Sequence, residues 1–397
     1  MAAYKILHAV GPGDVVAAYR RWSAKEDHLT ETSRTYSGQF FDFCRVEGVQ
    51  AWAVSSSTRR DLLIEGPFVV ENRPKPLGSG RSGVLYHLNE IGYAFSLLFS
   101  ALRYRADLAL IDSGTTHWFA LTLLRVIGVK VVANFHNVYC LNGLLPTSRV
   151  KKIVMMLDGL FFGRGVSAWI GVSPECERQM VALAGRQVPF FQYRAQFNDT
   201  DFSDLGRSRH DNRPFRVLFV GRVERNKGVF DLVEIAEKLA VRRAGSVRFD
   251  VCGGGASLDD LRRQINARGL DEVIHVHGRL SRPALLPMYA ASHMVIVPTR
   301  GDFCEGMPKV CAEAVLARRP VLTSRLSNAL DVLEGAIIEA RPEDTDDYVA
   351  QIERILDDPV AYRNAVEACE GVRSQFVDTH FGIQAALQRM YQLLRAP

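Results

Sequence analysis

Short apolar runs, each about the length of a buried strand, recur along the 397-residue chain, and stretches with helical spacing lie between most of them. Residues 5–10 form the first run. It enters Gly11-Pro12-Gly13-Asp14, and a helix-like pattern starts at Val15. Residues 52–55 and 62–64 read as short strands or turns. The Pro-, Gly- and Ser-rich stretch 72–83 predicts an exposed loop. Residues 91–102 are apolar until Arg103 and Arg105, which predicts a buried core helix. Strand-like runs at 108–112 and 130–135 flank a helix through 118–126. A further run at 168–172 leads into Ser173-Pro174-Glu175, a helix cap followed by Pro at the first helical position. The hydrophobic pattern lapses over 197–212, where a linker is expected. A second series then begins: strands at 216–221, 249–252, 274–278, 294–298, 319–323 and 335–339, a helix at 230–239, an amphipathic stretch at 346–356 and a last helix at 381–394. Alternation of this kind predicts parallel sheets covered by helices on both faces.

Length predicts two or three domains with sizeable cores. A net charge of +5 without a dense basic run gives no footprint for nucleic acid. Seven scattered cysteines (44, 140, 176, 252, 304, 311 and 369) without CxxC pairs argue for a reducing cytoplasm and against a disulfide framework or a zinc site. The first residues lack the layout of a signal peptide, and no stretch approaches the ~18 apolar residues needed to span a bilayer.

Chemistry concentrates at strand ends. The apolar run 294–297 ends at Pro298, and Glu305-Gly306-Met307-Pro308-Lys309-Val310-Cys311-Ala312-Glu313 follows it. This puts Glu305 on a loop at a strand's carboxyl end, where open α/β sheets bind ligands, and Glu313 one to two turns into a helix. Backbone N–H groups between them are placed to hold an anion or sugar oxygens. The plain alternative is a loop with two solvated glutamates. A second strand, 216–220, ends at Gly221 and is followed by Arg222, Lys227 and Gly228. Glycine for close approach, two cations and a helix start suit a diphosphate, and a solvated basic turn is the alternative. Glycines 253–255 and the run Gly278-Arg279-Leu280 close two further strands.

Together these segments resemble the retaining glycosyltransferases of family 4, across about residues 215–325. The resemblance implies the GT-B fold: two Rossmann-like, doubly wound parallel-sheet domains facing across a cleft. An acceptor-binding domain would cover 1–197, a nucleotide-sugar-binding domain 213–375, and a helix in 376–397 would cross back to the first. It implies transfer from a nucleotide sugar, such as a UDP- or GDP-sugar, to a glycan, lipid-linked or small-molecule acceptor. Such transfer retains the anomeric configuration and needs neither metal nor cofactor. Arg222 and Lys227 match the diphosphate-binding pair, Glu313 the carboxylate on the ribose hydroxyls, and Glu305 the one facing the donor sugar. Gly306, Met307, Pro308, Lys309 and Val310 would line sugar and phosphate, and Gly278, Arg279 and Leu280 the base. Gly221 belongs to the phosphate turn. His136 matches a histidine near the reacting carbon, and a structural histidine at a strand end is the alternative. Gly11 and Gly13 fall at a glycine-rich loop, from which Pro12 departs. Asp14 touches the acceptor or caps the following helix, and capping is the simpler reading.

Three patterns have plainer explanations. Asp344-Thr345-Asp346 precedes an amphipathic helix and suits its N-terminus. His275 and His277 alternate on a strand without a nearby acidic or thiol partner in sequence. Arg149-Val150-Lys151-Lys152 leads into apolar 153–157 and reads as a core helix with a basic start, or as a dock for anionic lipid at a membrane surface. Two other functions remain beside glycosyl transfer: a nucleotide-sugar epimerase or hydrolase of the same fold, which would need a further acid/base set, and a catalytically silent sugar-nucleotide-binding subunit.

Overall fold

The computed structural model describes residues 3–26, 28, 30–141, 146 and 148–395. They divide into two compact units: 1–27, 35–194 and 379–397 form the first, and 28–34 with 195–378 form the second.

The first unit is built on β1 (Lys5–Val10), β2 (Gln50–Ser55), β3 (Asp61–Glu65), β4 (Phe68–Asn72), β5 (Leu108–Asp112), β6 (Lys130–Phe135), β7 (Ala168–Gly171) and β8 (Phe190–Gln192). Their order in the sheet is β3-β4-β2-β1-β5-β6-β7-β8. Only β3 runs antiparallel to its neighbour. Ile6 stands opposite Ala51 on one side and Leu108 on the other. The chain builds outward from β1 in both directions, so the crevice of this sheet opens past the carboxyl ends of β1 and β5. The hairpin of β3 and β4 is broken by Gly66-Pro67, and β3 is exposed along much of its length. β3 therefore carries no clear buried pattern in sequence, whereas β4 alternates buried and half-buried residues.

The second unit holds β9 (Phe215–Val220), β10 (Val247–Cys252), β11 (Ile274–Gly278), β12 (Met294–Val297), β13 (Val321–Thr323) and β14 (Ile337–Glu339), all parallel, in the order β11-β10-β9-β12-β13-β14. Successive residues of β9 feed opposite layers. Val217 and Phe219 pack with Leu232, Ile235 and Ile352 on one face; Leu218 packs with Tyr289, Val295 and Val315 on the other. Each large side chain buried this way contributes about 1.5–3 kcal/mol. The reversal lies between β9 and β12, so the loops after these strands border the switch point.

Two expectations need correction. The apolar stretch 91–102 is part of the helix Gly83–Tyr104, but that helix is only half buried: Phe95, Phe99 and Leu102 face solvent. A continuous apolar run does not say which face is inward. The stretch 197–212 contains the short helix Thr200–Ser203, whose Phe202 is fully buried in the second unit. The last helix, Ile383–Arg395, packs in the first unit against the helix Tyr36–Glu47. Residues 396–397 lie outside the described range.

Candidate functional site

A cavity of about 580 Å³ opens at the β9/β12 switch point, lined entirely by the second unit. Gly221 and Arg222 follow β9, and Lys227 ends a single tight turn, Arg225–Lys227. Gly228 has φ +74°, and a Cβ there would stand 2.1 Å from the Pro298 carbonyl oxygen. Only glycine lets the two loops of the switch point approach this closely. The loop after β12 brings Glu305 and Pro308 to the wall, and the helix Lys309–Leu316 carries Lys309, Val310 and Glu313. Arg279 and Leu280 also line the cavity. Gly278, Gly306 and Met307 adjoin lining residues without lining it themselves.

Three of the cavity's cations, Arg222, Lys227 and Lys309, are paired with carboxylates. Lys227 makes an ion pair with Glu305, and its ammonium lies 3.8 Å from the centre of the Phe303 ring. Thr299 donates to the same Glu305 oxygen at 3.4 Å, and Asn328 donates to the Glu305 carbonyl at 2.5 Å. Arg222 is more exposed, paired to Glu224 at 2.9 Å and set over Phe303. Lys309 reaches Glu31 at 3.2 Å. The helix Lys309–Leu316 has Pro308 at its cap and no side-chain capping bond, and its Cys311 N–H bonds the Pro308 carbonyl at 3.0 Å.

Glu313 is buried and held from two sides. Thr32 donates to Oε1 at 2.5 Å, and Tyr289 donates to Oε2. Burial, first, and the Glu313 charge beside it push the Tyr289 phenol well above its usual range, so it stays a donor. Tyr289 is fixed in turn by Arg319, a fully buried guanidinium bonded to the carbonyls of Tyr289, Ala290, Ala317 and Gly206 at 2.7–2.9 Å. A carboxylate offers about four acceptor positions. The two hydroxyls use two and leave two for a ligand. Thr32 lies on the segment 28–34, which leaves the first unit between two of its helices and lines the cavity with Thr30, Glu31 and Ser33. Sequence reasoning missed Thr32, Tyr289 and Arg319. Of these, only Arg319 carried a signal, a charge next to an apolar strand.

His136 and Gly13 belong to the first unit. His136 Nε2 lies 3.1 Å from Asp112 Oδ2, its Nδ1 lies 2.6 Å from the Tyr193 hydroxyl, and its ring stacks on Tyr36 at 4.7 Å. His8 meets the other Asp112 oxygen at 3.2 Å. Burial alone would raise the Asp112 carboxyl, but the two imidazoles outweigh it and hold the group well below the usual carboxylate range. Tyr193 is fully buried, and burial pushes its phenol well above its usual range, so it keeps its proton beside Nδ1. Both nitrogens of His136 are thus engaged inside the unit. Asp14 caps the helix Val15–Ala24, accepting from the Ala17 amide at 2.8 Å. Asp344 does the same for the helix Thr345–Asp357. His277 meets Asp250, which is on the neighbouring strand, at 2.8 Å. Among the described residues no three His, Cys, Asp or Glu side chains are grouped to hold a metal ion.

Residues 203–370, which supply most of the cavity's lining, match the family described as Glycosyl transferases group 1. The second unit is a group 1 glycosyltransferase domain. Among curated proteins, the chain is similar to the alpha-D-kanosaminyltransferase of Streptomyces kanamyceticus, 28% identical over 263 residues, which is 62% of this chain and 66% of that protein. It also resembles the D-inositol 3-phosphate glycosyltransferase of an Arthrobacter species, 30% identical over 36% of this chain and 35% of that protein. The chain thus spans less than two thirds of either relative. Among solved structures, sucrose-phosphate synthase from Thermosynechococcus elongatus matches with a TM-score of 0.71 at 17% identity, covering 99% of this chain and 98% of that one. HepE of Anabaena, solved in complex with UDP, matches with 0.66 at 15%, covering 99% of both chains. At these identities the structural likeness establishes the GT-B fold.

Proposed function

We propose that the chain is a retaining glycosyltransferase that moves a sugar from a nucleoside-diphosphate donor to a hydroxyl acceptor without a metal ion. The observation that carries this reading is the joining of Arg222, Lys227, Glu305 and Glu313 in one cavity at the switch point of a group 1 domain. The ammonium of Lys227 has three donors, so it can keep Glu305 and still take a phosphate oxygen. Arg222 would add a second cation, and the N-terminus of the helix Lys309–Leu316 would add backbone donors. Glu313 would accept both hydroxyls of a ribose diol on its two remaining positions. Gly278, Arg279 and Leu280 would border the base. Glu305, committed to Lys227, suits orientation of the donor sugar better than nucleophilic attack. The C1–O bond to the diphosphate would break while the acceptor oxygen bonds to C1 on the same face. The acceptor proton would pass to the departing phosphate oxygen, whose charge the fixed cations stabilise.

In this reading the second unit holds the donor and the first the acceptor, a growing polysaccharide or a lipid-linked or other glycoconjugate precursor, at the cytoplasmic side. The HepE complex makes UDP the first nucleotide to try. Calorimetric titration with UDP, GDP, ADP and TDP tests the site. One nucleotide should bind in the micromolar range, and an Arg222→Ala/Lys227→Ala double variant should lose it. No binding to well-folded protein would overturn the donor site. A chelator that abolishes turnover would overturn metal independence.

A further inference from the structure

The first unit turns an apolar, cationic face outward. The β4-to-β5, β5-to-β6 and β6-to-β7 connections all step in one direction across the parallel sheet. Right-handed crossovers therefore put the helices Gly83–Tyr104, Thr122–Val126 and Arg149–Arg164 side by side on one face. The first two pack together, and both Gly83–Tyr104 and Arg149–Arg164 pack on the turn Trp118–Leu121.

The buried side of Gly83–Tyr104 carries Asn89, Glu90, Tyr93, Ala94, Leu97, Ser100 and Ala101. Its outward side is the more apolar one. Val84, Leu88, Phe95, Phe99 and Leu102, spaced for one helical stripe, are each more than half exposed; Leu85 and Tyr86 extend the patch. The only other exposed positions on this helix are Gly83 and Arg103. On Arg149–Arg164 the exposed residues are Val150, Ile153, Met156 and Leu160, interleaved with Arg149, Lys151, Lys152 and Arg164. The helix Thr122–Val126 adds Leu123, Arg125 and Val126. Both acidic residues of the three helices, Glu90 and Asp158, are buried. Every exposed charge on them is therefore positive.

An apolar patch of this extent marks an interaction surface rather than ordinary exposure. The charge decides the occupant. A second copy would bring the same cations against themselves, whereas an anionic lipid surface offers headgroup charge to the lysines and arginines and an acyl boundary to the Phe, Leu and Val side chains. No helix among the described residues is long and apolar enough to cross a membrane. We propose that this face of the first unit, formed by the helices Gly83–Tyr104, Thr122–Val126 and Arg149–Arg164, docks the protein peripherally on anionic phospholipid. This inference does not depend on the donor reading.

Co-sedimentation of the full chain with vesicles of phosphatidylcholine, with and without about a third phosphatidylglycerol, tests it. Binding to the anionic vesicles should be at least about tenfold tighter than to pure phosphatidylcholine and should weaken with salt. Lys151→Glu/Lys152→Glu should erase the preference for anionic lipid. Phe95→Ser/Phe99→Ser should remove binding to both vesicles while leaving the melting temperature and nucleotide titration unchanged, because these side chains are exposed. Failure of the wild type to bind anionic vesicles would overturn the proposal. So would binding that survives both double variants, or a dimer in solution dissolved by Phe95→Ser/Phe99→Ser without any vesicle binding.

Discussion

Thr32 illustrates how much one hydroxyl can decide. It fixes one oxygen of Glu313 while Tyr289 fixes the other. Thr32→Val keeps the shape and removes the donor. UDP affinity should fall by about tenfold, as expected when a hydrogen bond to a charged group is lost, while affinity for the 2′-deoxy analogue should change little. Thr32→Ser should restore it. Equal losses for both ligands in titration calorimetry would mean that Thr32 supports the fold instead of the diol site. Glu305→Ala frees Lys227 from its partner at the centre of the cavity. Turnover should drop by at least about a hundredfold with folding retained, and full activity in a transfer assay would remove the mechanism proposed above.

At the scale of elements, strands and the glycines that end them were legible in the sequence because their signals are local. An apolar run followed by Gly221, Gly278 or Pro298 needs no distant partner to be read. Partners far along the chain were not legible: Thr32 and Glu313 are 281 positions apart. Nor was the facing of the helix Gly83–Tyr104, because periodicity shows that two faces differ without saying which one is covered. The helix Arg149–Arg164 carries a testable consequence of its packing. Asp158 accepts from the Phe119 amide at 2.8 Å and the Tyr139 hydroxyl at 2.7 Å, and burial pushes its carboxyl from 3.8 up to about 6. Between these values the folded state keeps a proton that the unfolded chain has released. Asp158 therefore favours folding most at low pH, and that contribution is lost as pH rises from about 4 to about 6. Asp158→Asn mimics the protonated form and should gain stability relative to wild type over this window and above it. Melting curves from pH 4 to 7 that run parallel for the two proteins would refute this.

For the whole molecule, the two units have separate reporters. All four tryptophans, Trp22, Trp52, Trp118 and Trp169, lie in the first unit. The proposed donor cavity lies in the second. A nucleotide at a hundred times its dissociation constant stabilises the unit that binds it by about 2.7 kcal/mol. Saturating UDP should therefore raise the melting temperature seen by calorimetry or far-UV dichroism more than the one seen by tryptophan fluorescence. Equal shifts by all probes would show that the two units unfold as one.

The division of the chain also sets an order of completion during synthesis. Everything the second unit needs, 28–34 and 195–378, has been joined to the growing chain before the helix Ile383–Arg395 is made. The first unit, begun earliest, must wait for that helix to cover Tyr36–Glu47. The half of the molecule that starts first is thus the half that finishes last.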